Sequence, residues 1–483
     1  MSCGYVSDRS TVRKVYIKAN VKQAASPHFY QQLQRFGERP AAIEAEVELN
    51  YRQLAERCES FAERLQQARL GRQLVFIKAH NSIATLISYV SCLQQHHVVV
   101  LLDPQIALER LAALIAAYQP HCLIEQGQIE RAHSRPLPLA PELALLLSTS
   151  GSTGSPKQVC LSAANLQANA ASICAYLPIE VSDRTITTLP FQYSYGLSVI
   201  NSQLLAGSCI VFNQQSLLSR EFWQQFKQQQ ISSFAGVPYS YEMLLKLRFT
   251  RMELTHLRYF TQAGGKLAAE SVRQLAEYAK ATDKQFFVMY GQTEATARMA
   301  YVASEQVLLK PESIGRAIPG GEFSLRDAKG QTIDTPMQSG ELIYRGANVM
   351  LGYASNSAQL AQFSPLNELA TGDIAYRDAD GDYVICGRLK RFIKISGLRI
   401  NLDEVESLLQ QQGYQCYCVG DDTTLKVALM ATQETKPVQM WLSRQLGIHF
   451  QAIKVHPLDV APLSANGKVD YPALHAQLTE ANA

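Results

Sequence analysis

The sequence predicts an α/β protein of more than one domain, and three observations carry that expectation. Helical and strand patterns alternate along most of the chain, which implies βαβ units around largely parallel sheets. After about Glu312 the texture changes to short strands broken by glycine turns. The length, 483 residues, exceeds what one hydrophobic core comfortably holds. The expected architecture is a large N-terminal domain of βαβ subdomains plus a β-rich subdomain, followed by a small α+β C-terminal domain.

The elements follow in order. YRQLAERCESFAERLQQARL (Tyr51–Leu70) sets apolar residues at helical spacing against a charged face. QLVFIKA then reads as a buried strand, SIATLISYVSCLQQ as a helix and HHVVVLLDP as another strand, and LERLAALIAAYQP with HCLIEQ repeats the pattern. The apolar run LALLL leads into LSTSGSTGSPK (Leu147–Lys157), and QVCLSAANLQANAAS beyond it reads as a strand running into a helix. QFFVM is a further apolar strand. SIGRAIPGGEFSLRDAKGQTI, SGELIYRGA and DGDYVICGR supply the short strands of the β-rich subdomain. The basic run GRLKRFIKISG (Gly387–Gly397) stands just before a helical pattern, NLDEVESLLQQQ, and marks the domain boundary. Residues 1–389 are assigned to the N-terminal core and 390–483 to the C-terminal domain.

Composition excludes several classes. Hydrophobic content of 47% and charged content of 18% describe an ordinary globular chain. The net charge of +3 and the lack of a long basic run argue against nucleic acid as a partner. The ten cysteines are scattered, and Cys416-x-Cys418 has no second pair to complete a zinc site. They read as reduced, mostly buried thiols of a cytoplasmic protein. No signal-peptide core is legible at the amino terminus, and no run approaches the roughly 18 apolar residues of a membrane span.

Five short segments carry chemistry. In LSTSGSTGSPK, Gly151 and Gly154 let backbone N–H groups converge on one point, the hydroxyls add donors, and Lys157 adds a charge, a combination that suits a phosphate chain. The spacing is not that of a P-loop, because Gln158 follows the lysine where that motif places Ser or Thr. In Tyr290-Gly291-Gln292-Thr293-Glu294 an aromatic ring suits a nucleobase, Thr293 can donate to phosphate, and Glu294 suits magnesium. Asp373, in Thr371-Gly372-Asp373, suits both hydroxyls of a ribose. Arg388, in Gly387-Arg388-Leu389-Lys390, suits a phosphate or ribose oxygen. Lys468, in PLSANGKVD, is a cation on a glycine-containing turn. Taken singly, each segment reads equally well as a flexible loop, a capped turn or a solvated charge.

Together, and in this order, they resemble the adenylate-forming superfamily of acyl-CoA synthetases, peptide-synthetase adenylation domains and firefly luciferase. The likeness runs from YRQLAE through VVVLLDP, STSGSTGSPK, LPFQYSYGLS, QAGGKL, YGQTEAT and TGDIAYRDADGDYVICGRLKRFIKISGLRI to PLSANGKVD. The resemblance implies a stand-alone, ATP-dependent ligase that forms an acyl-adenylate, with ATP and Mg²⁺ as cofactors and a mobile C-terminal lid. It places Thr149, Ser150, Gly151, Thr153, Gly154 and Lys157 at the β- and γ-phosphates, and Gly264 and Gly265 along an adenine on which Tyr290 stacks. Thr293 then meets the α-phosphate, Glu294 the magnesium, and Asp373 and Arg388 the ribose. Lys390 matches the hinge, Lys468 the lysine bridging carboxylate and α-phosphate, and Gly397 the glycine beside the pantetheine passage.

The acid pocket implied by the resemblance comprises Tyr193, Ser194, Tyr195, Ser198, Gly264, Met289, Ala297 and Arg298. Ser194 aligns where enzymes for α-amino acids place an ammonium-binding aspartate, which argues against large amino acids while leaving a small one open. Two tyrosines and a methionine narrow the cavity toward a small or aryl acid. Arg298 has two readings: inside the pocket, favouring a second anionic group, or paired with a neighbour outside. The acceptor is expected to be a phosphopantetheinylated carrier protein, with free CoA as the alternative, since the basic run Lys390–Lys394 and Arg399 suits either. An adenylating enzyme without thiolation and an inactive binding scaffold are the remaining readings.

Overall fold

The computed structural model describes residues 28–480 apart from 67–70, 149–156, 365, 390, 396–397, 422, 431–434 and 465–467, and apart from the side chains of Phe392, Lys394 and Arg399. The helix predicted at Tyr51–Leu70 runs over Tyr51–Gln66 and buries Tyr51, Leu54, Ala55, Cys58, Phe61, Ala62 and Leu65, one stripe at three- and four-residue spacing. Its start is fixed by a reciprocal pair: the Gln53 N–H donates to Asn50 Oδ1, and the Asn50 N–H donates to Gln53 Oε1.

Two sheets organise the N-terminal region. In the seven-stranded sheet, Leu74–Lys78 lies parallel to Val98–Leu102 and Cys122–Glu125, and Leu143–Ser148 continues parallel to Val98–Leu102. Val98–Leu102 is buried along its whole length, as expected of a strand covered on both faces. The strand after the Ser/Gly stretch, Gln158–Ser162, turns back antiparallel on Leu143–Ser148 before the helix Ala163–Tyr176 begins. Ser162 and Asn165 close that helix start reciprocally, and the Asn165 amide donates to the Ala347 and Val349 carbonyls at 2.8 Å each.

The nine-stranded sheet has a parallel centre of six strands: Pro40–Glu44, Cys209–Phe212, Arg184–Ile186, Ser233–Gly236, Tyr259–Gln262 and Gln285–Tyr290. Antiparallel strands close both edges. Phe234, Phe260 and Phe286 occupy matched positions on three neighbouring strands. Their rings stack at 5.8 and 4.7 Å, a ladder set by strand spacing.

The β-rich part is a four-stranded antiparallel sheet of Gly321–Arg326, Gly340–Gly346, Leu369–Arg377 and Tyr383–Arg388. Its Phe323, Tyr344 and Tyr383 join the main apolar core, so it packs as one body with the seven-stranded sheet. Beyond it lie a hairpin, Phe392–Ile395 with Leu398–Asn401, and a three-stranded sheet with its own core of Val405, Leu409, Cys416, Cys418, Val427 and Leu442. The helix Leu402–Gln411 is capped by Asn401 and opens on Asp403 and Glu404. The α/β class, with a large N-terminal and a small α+β C-terminal region, is therefore the observed architecture.

Of the nine described cysteines, seven are buried and two partly so. Burial pushes the Cys58, Cys160, Cys174 and Cys209 thiols up to about 12, far from thiolate reactivity. Among the described residues, no cluster of three His, Cys, Asp or Glu side chains could hold a metal ion, and no helix is long and apolar enough to cross a membrane.

Candidate active site

The carboxyl ends of the parallel strands Tyr259–Gln262 and Gln285–Tyr290 open onto one cavity, the position where α/β sheets bind ligands. Of the residues singled out in the sequence, Tyr193, Ser194, Tyr195, Gly264, Thr293, Ala297, Arg298 and Lys468 line it. Segments far apart in the chain thus converge, and Lys468 reaches the N-terminal site from the C-terminal domain.

Tyr193 and Ser194 start the helix Ser194–Ala206, whose free N–H groups and positive dipole end lie at the cavity. The Ser194 and Thr293 hydroxyls are 3.1 Å apart. Gly264 has a φ of +90°, and a Cβ there would sit 2.6 Å from the Tyr193 hydroxyl and 3.7 Å from Lys468 Cε. Only glycine suits both the backbone and the gap. The Gly265 carbonyl accepts the Gln262 amide at 2.8 Å, which fixes the loop.

Asp373 is 2% exposed, and both its oxygens are engaged within the protein. Arg388 Nε donates to Oδ1 at 2.9 Å, while the Tyr290 hydroxyl and Gln292 Nε2 donate to Oδ2, the latter at 2.9 Å. Gln292 also donates to the Thr371 carbonyl at 2.9 Å. Burial, and then the charge of Asp373, hold the Tyr290 hydroxyl well above its ordinary range, so it acts as a donor.

Glu294 Oε1 accepts the Tyr353 hydroxyl at 2.9 Å, and Lys157 Nζ stands 3.6 Å from the centre of the Tyr353 ring. Lys468 Nζ lies 5.6 Å from the centre of the Tyr193 ring. Burial pulls its ammonium down to about 8, Arg388 pushes the same way, and Glu294 and Asp373 pull back. Its loop is closed by hydrogen bonds from the Ser464 N–H to the Lys468 carbonyl, 2.7 Å, and from the Asp470 N–H to the Pro462 carbonyl, 2.8 Å.

Arg298 lines the cavity and is 1% exposed. Its guanidinium lies 4.3 Å from the centre of the Tyr195 ring and donates to Ser198 Oγ at 3.2 Å, to the Tyr176 hydroxyl at 3.3 Å and to Met289 Sδ. Ser198 and Met289 therefore meet Arg298 from behind and do not line the cavity themselves. The turn before it is strained, with Thr296 at φ +66°. Asn348 holds that turn, donating to the Ala295 and Arg298 carbonyls at 2.8 and 2.9 Å and accepting the Thr296 hydroxyl on its own carbonyl at 2.7 Å. Asn169 donates to the Arg298 carbonyl as well, at 3.0 Å.

Thr149, Ser150, Gly151, Thr153, Gly154, Lys390 and Gly397 lie outside the described residues. Residues to which sequence reasoning gave no role are also in contact with the site, among them Ser148, Ala263, Gly291, Gln292 and Tyr353. Gln292 sits within the Tyr290–Glu294 segment and was open to notice, whereas nothing in the sequence around Tyr353 marks it.

The AMP-binding enzyme family matches residues 29–137 and 125–354, and the chain belongs to that family. The class read from the sequence, an AMP-forming acid–thiol ligase, stands. The D-alanine–D-alanyl carrier protein ligase of Bacillus licheniformis is 26% identical over 489 residues, covering 91% of this chain and 96% of that protein. The oxalate–CoA ligase of Arabidopsis thaliana is 32% identical over 272 residues, covering 55% of this chain and 52% of its own. The ATP-bound structure of MatB from Rhodopseudomonas palustris shares the fold with a TM-score of 0.79 at 21% identity, covering 94% of this chain and all of that one.

Proposed function

We propose that this protein activates a small carboxylic acid with ATP, releasing pyrophosphate, and passes the acyl group to the phosphopantetheine thiol of a carrier protein. The observation that carries the reading is Lys468, delivered by the C-terminal domain into a cavity shared with Thr293, Ser194 and Gly264. A carboxylate attacking the α-phosphate brings two anions together, and the Lys468 ammonium at the cavity wall supplies a cation to bridge them. The Thr293 hydroxyl and the helix start at Ser194 add donors for the same charge.

Tyr290 offers its ring to the adenine, and Asp373 takes the ribose by exchanging one of its internal partners. Lys157, with Thr149, Ser150, Gly151, Thr153 and Gly154, is assigned to the β- and γ-phosphates. Glu294 fits a magnesium ion, since a single carboxylate suffices where phosphate oxygens complete the shell. Such an ion neutralises charge on the phosphate chain. In the second half-reaction the thiol attacks the acyl carbon, the acyl–phosphate bond breaks and AMP leaves.

The thiol needs the space that Lys468 fills, so the C-terminal domain turns between the steps about Lys390. The bonds on either side favour that reading: the Leu389 N–H donates to the Gly372 carbonyl and the Arg391 guanidinium to Glu406 and the Cys418 carbonyl, while across the position the Arg391 N–H donates to the Arg388 carbonyl at 3.2 Å. We accordingly assign 1–389 to the core and 390–483 to the lid, and place the enzyme in the cytoplasm. The similarity to a carrier-protein ligase over nearly both full lengths favours a carrier acceptor. The 32% identity to a CoA ligase favours free CoA as the second reading.

The test is a pyrophosphate-release screen over aliphatic, aryl and amino acids with ATP and magnesium. Pyrophosphate and AMP are the expected products, and ADP with orthophosphate would overturn the proposal. Free CoA discharging the adenylate as fast as it forms would overturn the carrier half alone.

A further inference from the structure

We propose that Arg298 selects acids bearing a second carboxylate, held across the pocket from the one being activated. The inference rests on the ligase reading above and names its substrate class. Among the described residues, three of the other partly enclosed cations are matched by acidic side chains, whereas the buried Lys426 donates to the Thr479 hydroxyl. Arg391, 16% exposed, pairs with Asp403 and Glu406; Lys310, 18% exposed, meets Asp378, Asp380 and Asp382; and Arg258, 36% exposed, pairs with Glu180 and Asp183. Arg298 is more deeply buried than any of these at 1%, yet no described carboxylate lies within ion-pair distance of it.

Its protein partners are two hydroxyls, a thioether and the face of Tyr195. A guanidinium carries five N–H donors and a permanent charge, and neutral dipoles do not replace the hydration it has lost. The missing anion belongs on the cavity side, because Arg298 lines the same cavity as Lys468 and Thr293.

Two cationic ends define the ligand. One carboxylate faces Lys468 and reacts, while the other is held by Arg298 through Nη2, the nitrogen that makes none of the hydrogen bonds to Ser198, Tyr176 and Met289. Tyr193 and Tyr195 stand between them with rings 6.1 Å apart, and the stacked Tyr176 and Tyr301, 4.1 Å apart, back the pocket. The cavity they enclose is small, about 30 Å³, which favours a short spacer. The charge of Arg298 also repels the ammonium of an amino acid, so the pocket disfavours amino acids as well as simple monoacids.

The experiment compares, on the wild-type protein, the pyrophosphate-release kcat/KM of each diacid with that of its own monomethyl ester. Malonate, succinate, glutarate and isophthalate serve as the diacids. Esterification removes one charge and adds one methyl group, and the expected loss is roughly 10- to 100-fold, the range for one charge-assisted hydrogen bond. The loss should appear mainly in KM. Arg298→Met, checked by its melting temperature, should bring the diacid-to-ester ratio close to one, and Arg298→Lys should restore part of it. If Arg298→Met does not fold, the wild-type ratios decide the matter alone. Esters or monoacids used as well as their diacids would overturn the inference and leave the ligase reading standing. No pyrophosphate from any acid at all would overturn both.

Discussion

Raising the pH should switch off adenylation near pH 8, well below the point at which an ordinary lysine loses its charge. The working form of Lys468 is the ammonium, and enclosure in the cavity lowers it from 10.5 to about 8. The sign follows: a base with a depressed pKa is charged below that value, so activity is present at neutral pH and falls as pH rises through it. A group titrating at 8 is ~90% protonated at pH 7 and ~10% at pH 9, whereas one titrating at 10.5 is still ~97% protonated at pH 9. The kcat/KM of pyrophosphate release should therefore drop about tenfold between pH 7 and 9. That ratio reports the free enzyme, whereas the bound polyphosphate raises the lysine's pKa and moves the limb of kcat to higher pH. Lys468→Arg keeps its charge throughout and should be slower but flat across the window. A wild-type kcat/KM that stays level to pH 9.5, or one that falls in parallel with the arginine variant, would refute the assignment of Lys468 as the titrating cation.

Lys468→Ala should slow adenylation by at least ~100-fold, as expected for loss of one preorganised charge, while thiolation of a supplied acyl-adenylate is much less affected. Lys390→Pro, which stiffens the hinge, should show the reverse, and single-turnover assays of each half-reaction separate the two. Gly264→Ala forces a methyl group against the Tyr193 hydroxyl at a φ of +90°, so kcat/KM should fall at least ~10-fold with a stability loss of ~1–3 kcal/mol. Phe260→Ala removes the middle rung of the Phe234–Phe260–Phe286 ladder and should cost ~3–5 kcal/mol, read as a melting temperature lowered by several degrees.

The α/β class was legible because strand and helix periods differ, so an alternation such as QLVFIKA followed by SIATLISYVSCLQQ leaves few other readings. The sequence pattern did not disclose direction: Gln158–Ser162 turns back antiparallel on its neighbour, and nothing in the spacing of its apolar residues distinguishes that from a parallel crossover. Local motifs announced Tyr290, Thr293, Asp373 and Lys468, since turns with reactive side chains are visible within a few residues. Their partners across the fold were not visible. Tyr353 reaches Glu294 over 59 positions and Asn348 reaches Arg298 over 50, through contacts made by tertiary packing alone. Arg298 illustrates the limit most clearly: the sequence admitted a place inside the pocket or a pairing with a neighbour outside it, and the fold alone brings it to the cavity wall among Tyr176, Tyr195 and Met289.

The two asparagines that grip the Arg298 carbonyl have a consequence for how such a pocket diversifies. Asn169 and Asn348 bind the main chain, whatever side chain position 298 carries, and Asn348 also restrains the strained turn at Thr296. The course of the wall is thereby separated from its chemistry. A substitution at 298 therefore changes the chemistry of the wall without removing the bonds that hold the main chain beside Ala297.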